Sequence, residues 1–373
     1  MKPTSGEFSF TRLERVIFGA GKVRELGRDL ERRKVKRALV VTGASLGRSR
    51  LLEAVRIAAG PAYAGVFKGA MQHTPAGTVD ALAAEARRVD ADALVSFGGG
   101  SPIDTAKAAA MKLLGERELV HVAIPTTLSA AEFTPAAGVT NEQTRVKGGV
   151  ADPRLQPRTV ILDPELTLET PAWLWAGTAM RALDHAVECA YSSRHQPVSD
   201  ALAARAINLL VSHLRPSLAA HGDEELEHRV QCQLAAWMSI FGAMSTRSGI
   251  SHALGHQIGP AWNVPHGFTS CITLPPVMRF MAGVAPERFG PIAEGFGIRF
   301  DAENPHPAAL ECADRTAQFI RQFEVPVRLS DVGVAREELG RIAATVREEV
   351  ARSDTIGRPV STDEIIALLE AAY

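Results

Sequence analysis

The pattern of the chain changes character once, near Pro164, and that change limits the folds open to it. Before it, strand patterns alternate with helix patterns. KRALVVTG (36–43) is β-branched and apolar and ends on Gly43, which is how a strand buried on both faces reads. TVDALAAEARRVDA (78–91) has helical periodicity, and ADALVSF (91–97) is a second strand running into Gly98-Gly99-Gly100. Ser101-Pro102-Ile103-Asp104 opens a helix, and HVAIPTT (121–127) and RTVILDP (158–164) are further short strands. Such alternation predicts a parallel sheet with helices on both faces. Beyond Pro164 almost no strand pattern remains. PAWLWAGTAMRALDHAVECAYS, DALAARAINLLVSHL, ELEHRVQCQLAAWMSIFGAMS and the segments after 306 place apolar residues at helical spacing. The reading is an α/β domain over 1–165 followed by an all-helical domain over 166–373, and a length of 373 residues suits two domains.

Composition removes several classes of function. Hydrophobic residues make up 46% and charged residues 22%, so the chain is globular rather than disordered. Lys and Arg number 41 against 42 Asp and Glu, which leaves no electrostatic footprint for nucleic acid or an anionic membrane. Cys189, Cys232, Cys271 and Cys312 lie far apart with no CxxC pair, which argues against a disulfide framework and a cysteine zinc site. The start of the chain, MKPTSGEFSFTRLERVIFGAG, lacks an apolar run, and a cytoplasmic location is expected. Ser248 to Met278 carries no charged residue but holds three His and four Pro, so it suits the lining of a buried polar site better than a membrane helix.

Three constellations carry chemistry. The first is the glycine run and the helix it opens. Gly98, Gly99 and Gly100 allow backbone to approach a ligand, Ser101 is placed to cap the helix, Pro102 suits its first position and Asp104 completes a capping box. A helix start after glycines suits a pyrophosphate, although GxGxxG is absent and a plain turn is the alternative. The second is Thr126-Thr127, which follow a strand where ligands bind in open α/β sheets; their hydroxyls suit a nicotinamide carboxamide or ribose. The third is a histidine set. His252 and His256 are four apart on one helical face, His266 follows ten residues later, and His185 lies in a separate helical segment. Imidazoles converging from several helices suit a divalent metal; hydrogen-bonded core histidines are the other reading.

GGGSPIDTAK, PTT, DHAVE and HALGHQIGPAWNVPHG, in this order and spacing, resemble the iron-dependent (group III) alcohol dehydrogenase family over nearly the whole chain. The resemblance implies an active site between the two domains and hydride transfer between NAD or NADP and a small alcohol or aldehyde. It implies cofactor contacts from Gly99, Gly100, Ser101, Thr126, Thr127 and Lys147, and a homodimer as the common assembly. It also implies a divalent metal, iron or zinc, on His185, His252 and His266 and an Asp four residues before His185. Arg181 stands at that last position, and an arginine cannot ligate a metal. Either the three histidines suffice, or the site is metal-free and Arg181 supplies the positive charge. Maleylacetate reductases, of the same superfamily, are similar in FGAG, VFKGAMQHTP and DPRLQPRTVILDPELT and likewise lack the Asp; reduction of an oxo acid is therefore the alternative to alcohol dehydrogenase or aldehyde reductase. A dehydroquinate synthase-like lyase shares the architecture, but the lysine- and glutamate-rich phosphate pocket it requires is missing. His256, beside the implied ligands, is the expected proton relay, with Arg181 and His252 assisting. Family members that prefer NAD often carry Asp where this chain has Gly43; with Arg48 and Arg50 close by, NADP is expected to be tolerated.

Overall fold

Four of the strand patterns read from the sequence lie in one parallel sheet of the computed structural model, which describes residues 7–143 and 147–373, the side chain of Lys147 excepted. The α/β part runs β1 (Arg15–Phe18), α1 (Leu26–Arg32), β2 (Ala38–Gly43), α2 (Arg50–Ala59), β3 (Tyr63–Ala70), α3 (Ala76–Arg88), β4 (Ala93–Gly98), α4 (Gly100–Leu113), β5 (Val120–Pro125), β6 (Ala136–Thr140), β7 (Lys147–Ala151) and β8 (Thr159–Leu162). The sheet order is β1-β8-β5-β4-β2-β3, all parallel, while β6 and β7 form a separate antiparallel pair. Alternate residues of the central strands feed two cores. Leu39, Val41 and Leu94 pack with Val79, Leu82, Ala106 and Ala109 of α3 and α4. Ala38, Val40, Val95 and Phe97 pack with Leu26, Leu30 and Val55 of α1 and α2. A strand buried on both faces has no polar side, which is why these segments read as unbroken apolar runs.

The helical part runs α5 (Ala172–Tyr191), α6 (Pro197–His213), α7 (Pro216–Ala219), α8 (Gly222–Thr246), α9 (Ile250–Ala261), α10 (His266–Val284), α11 (Gly290–Phe296), α12 (His306–Ile320), α13 (Leu339–Ser353) and α14 (Thr362–Ala371). From Trp175 to Tyr191, α5 is buried almost all round. It meets α10 backbone to backbone: a Cβ on Gly267 would lie 2.1 Å from the carbonyl oxygen of Gly177. No helix among the described residues is long and apolar enough to cross a membrane. The charge-free stretch from 248 to 278 became α9 and α10, with Pro260, Pro275 and Pro276 inside them. The four cysteines are free and buried.

Two compact units result, one of Phe10–Thr170 with His221–Gln233, the other of Pro171–Ala220 and Leu234–Tyr373 with the described residues before Phe10. The chain thus changes unit at Thr170, and the first half of α8 goes with the α/β unit. There Arg229 donates through Nη1 to the carbonyl oxygen of Thr167 at 3.2 Å and is held by Glu225 at 2.9 Å.

Candidate functional site

In the α/β unit the candidate residues gather at the carboxyl ends of adjacent strands. Gly98 ends β4 and pairs with Pro125 at the end of β5, and the amide of Thr126 donates to the carbonyl oxygen of Gly98 at 3.0 Å. Gly98 has φ of 141°, a conformation that side chains rarely adopt. Gly43 ends β2, the next strand over, opposite Ala70 of β3.

The helix start differs from the sequence expectation. Gly99 is the N-cap of α4, Gly100 begins the helix, and no side chain caps it. Ser101 therefore sits inside the first turn, where its carbonyl oxygen accepts from Thr105 Oγ1 at 2.7 Å. Asp104 does not close a capping box; its carboxylate accepts from the Gly138 amide of β6 at 3.3 Å and lies 3.7 Å from Lys107 Nζ. The reason is positional. A helix that starts two residues earlier leaves Ser101 no extended backbone from which to cap.

An uncapped helix start leaves amide donors for an anion. Beside it the hydroxyls of Thr127 and Ser129 are buried with no hydrogen-bond partner among the described residues. A Cβ on Gly99 would lie 3.2 Å from Thr127 Oγ1, and one on Gly100 3.3 Å from Ser129 Oγ. Bare amides with two orphaned hydroxyls fit a phosphate-bearing cofactor. The side chain of Lys147 lies outside the described residues.

A buried charged group that sequence reading passed over braces this turn. Lys107 of α4 donates to the carbonyl oxygens of Ala131 and Ala136, the latter at 2.8 Å, and to Thr134 Oγ1 at 3.1 Å. It ties the helix of the glycine run to the loop after Thr127. Glu132 is buried beside it, and burial raises its carboxyl to about 7. His121 is a core residue, its Nε2 2.8 Å from Ser96 Oγ, and burial lowers it to about 3.

In the helical unit a chain of polar side chains runs through α5, α9 and α10. Arg181 and Asp184 form a buried pair at 3.0 Å, and the same oxygen of Asp184 accepts from Ser251 at 3.1 Å and Ser270 at 2.6 Å. Arg181 also donates to Ser270 at 3.0 Å, and its Nη2 is buried without a partner among the described residues. Burial pushes Asp184 up and Arg181 down, toward their neutral forms, while the contact between them holds the charges. One turn on, Glu188 accepts from the amides of Gly249 at 2.9 Å and Ser251 at 2.7 Å, so a carboxyl from α5 supplies the cap that α9 lacks in its own sequence. Burial raises Glu188 to about 8, with Asp184 the next cause.

The histidines lie beside this chain. The ring of His185 is 5.2 Å from that of His252, which is 5.3 Å from His256 and 5.8 Å from His266. Burial, then the charge of Arg181, lowers both His185 and His252 well below the ordinary range, so both are neutral. The set whose ligand atoms all lie within 4.8 Å of one another is His252, His256 and His266. That trio includes His256, expected to stand outside the ligands, and omits His185, expected among them. His256 is anchored by Glu349 of α13, its Nδ1 2.8 Å from Oε1. Nothing in the sequence marked Glu349, which lies 93 residues from its partner on the polar face of an amphipathic helix. Glu188 had a signal, standing three residues after His185 on a helix otherwise buried.

The chain thus combines a parallel sheet that carries an uncapped glycine turn with helices that gather imidazoles. The chain belongs to the iron-containing alcohol dehydrogenase family: the family's profile matches residues 14–164, and that of its C-terminal part matches 175–373. A maleylacetate reductase of Burkholderia cepacia is 33% identical over 97% of this chain and 96% of its own. An NAD-dependent methanol dehydrogenase of Bacillus methanolicus is 32% identical over 90% of this chain and 92% of its own. The crystal structure of an iron-containing alcohol dehydrogenase from Corynebacterium glutamicum has a TM-score of 0.86 at 29% identity, covering 100% of this chain and 97% of that one.

The metal set that the family resemblance implies does not fit. A cation, Arg181, stands where the carboxylate ligand belongs and is already bound to Asp184. Asp184 in turn is engaged by two serines and the guanidinium.

Proposed function

We propose that the protein is an NAD(P)-dependent oxidoreductase that interconverts a small alcohol and its aldehyde or ketone. The α/β unit carries the candidate dinucleotide-binding groups, and the helical unit carries the candidate proton donor. The observation that carries this reading is the imidazole trio with one member reaching solvent: the side chain of His256 is 42% exposed and that of His252 15%.

The amides at the start of α4 and the hydroxyls of Thr127 and Ser129 would hold the phosphates of NAD(P)H, which when bound would supply a hydride to the carbonyl carbon, and Gly43 would leave the adenosine ribose without a carboxylate neighbour. As the carbon accepts hydride, the oxygen gains negative charge and needs a proton. His256 in its imidazolium form would deliver it: with Nδ1–H held by Glu349, the Nε2–H proton passes to the oxygen, leaving a neutral imidazole that regains its proton from solvent. Neutral His252 and the N–H groups of Arg181 stabilise the developing charge by hydrogen bonding. No step here uses a metal.

A second reading, reduction of an oxo acid as in a maleylacetate reductase, is favoured by one feature. Arg181 Nη2 is buried and unpartnered among the described residues, and a guanidinium edge can receive a substrate carboxylate. Its charge is offset by Asp184, so it would contribute direction more than attraction.

Absorbance of NADH and NADPH, followed with simple aldehydes and with dicarboxylic oxo acids, tests both. Turnover of aldehydes is expected. Turnover confined to the oxo acids selects the second reading, and net oxidation with neither removes both.

A further inference from the structure

We propose that a cavity where α10, α12 and α14 meet is a second ligand site, built for a small aromatic hydroxy acid. The inference stands apart from the hydride-transfer reading and concerns residues which that reading does not use.

The site originates in the sequence of one helix. Pro275 and Pro276 stand side by side inside α10. A proline has no N–H to donate to the carbonyl four residues earlier. The carbonyl oxygens of Cys271 and Ile272 therefore lose their α-helical donors, and for Ile272 Pro275 also removes the donor three residues on. All four residues line the same cavity, of about 180 Å³. A buried carbonyl without a donor costs free energy unless an occupant supplies one.

The rest of the lining says which occupant. Ala317 and Ile320 of α12, Ala371 of α14 and Val327 give it apolar walls. Cys271 and Ile272 are buried whereas Arg279 and Arg321, which also line it, are exposed, so the acceptors lie at the floor and the cations at the mouth. Arg279 is committed to Asp314 of α12. Arg321 pairs with no carboxylate among the described residues. An acceptor below, an uncommitted guanidinium above and apolar surface between them are complementary to a flat apolar body with a hydroxyl at one end and a carboxylate at the other. The size agrees: a cavity of about 150 Å³ holds a benzene ring, so this one admits a single ring with small substituents and excludes a dinucleotide. The hydroxyl donates to the carbonyl oxygen of Ile272, and the carboxylate accepts from Arg321.

The test is calorimetric titration of 4-hydroxybenzoate into the full chain, without cofactor or substrate, beside benzoate, which lacks the hydroxyl. One site with a dissociation constant of about 1 mM or tighter is expected for 4-hydroxybenzoate, and binding about tenfold weaker for benzoate. Arg321→Gln should weaken both by about tenfold or more. Pro276→Ala gives Ile272 back a helical donor, so it should lower 4-hydroxybenzoate to the affinity of benzoate and change benzoate by less than about threefold. Circular dichroism checks that each variant folds. Arg321 is exposed, so its variant decides the matter even if Pro276→Ala does not fold. No saturable binding by the wild type, or 4-hydroxybenzoate affinity undiminished in folded Arg321→Gln or folded Pro276→Ala, overturns the proposal. Because no turnover is measured, either result leaves the hydride-transfer reading where it was.

Discussion

The glycine turn and the histidine cluster solve the same problem, presenting polar groups to a ligand inside a protein, by opposite means. The turn does it with backbone. Two short segments after neighbouring strands, 98–101 and 126–129, come together because β4 pairs with β5. The cluster does it with side chains from α5, α9, α10 and α13, spread from Arg181 to Glu349. The turn is vulnerable to added bulk, because its donors depend on the absence of side chains. The cluster is vulnerable to lost charge, because each buried group is held by another.

The sharpest way to break that contrast is at Arg181. Arg181→Ala strands Asp184 in a site shared only with two serines, and should cost about 3–5 kcal/mol in urea unfolding. Adding Asp184→Asn should recover much of it. A single variant as stable as the wild type would mean that the pair does not hold the cluster. At the turn, by contrast, Gly99→Val should leave a folded protein while NAD(P)H affinity falls by about 100-fold. Its Cβ would press on Thr127 at 3.0 Å and its methyls would occupy the approach of the phosphates. Fluorescence titration that finds unchanged affinity would reduce the turn to a helix start and no more.

A third experiment asks whether the α/β unit also stores buried charge. Glu132 is raised from 4.5 to about 7 by burial. Below the lower value folded and unfolded chains both hold the proton; between the two only the folded chain does. Stability should therefore fall as pH rises through this window. Glu132→Gln should flatten the profile between pH 5 and 7 by about 2 kcal/mol, as urea unfolding at each pH would show. An unchanged slope would place the dependence elsewhere. The smallest effect is expected at Gly43→Asp, which should weaken NADPH about tenfold more than NADH by charge repulsion. The new Cβ lies 3.2 Å from the Ala70 carbonyl oxygen, so a small loss common to both cofactors is expected as well. Equal losses would remove Gly43 from the ribose site.

Legibility follows the same division. β2, β4, β5 and β8 were readable because burial on both faces removes polar residues, and the glycine run was readable because it is contiguous. β3 was not: YAGVFKGA is an edge strand, only partly buried, with glycines that break its pattern. The cap of α4 was misplaced by two residues, since Ser101 and Gly99 both permit a helix start and only the loop packed against them decides.

What the sequence determined by itself was the alternation that becomes a parallel sheet, the switch to helices, the glycine turn and the four histidines as a set. Each depends on residues near one another in the chain, where periodicity and backbone freedom act directly. What the tertiary structure decided was which partners those residues take. Arg181 is committed to Asp184, Glu188 to the start of α9, and His256 to Glu349, 93 residues away. A hydrogen bond or an ion pair depends on distances of a few ångströms between elements, and the packing of α5, α9, α10 and α13 sets those distances in a way no local pattern records.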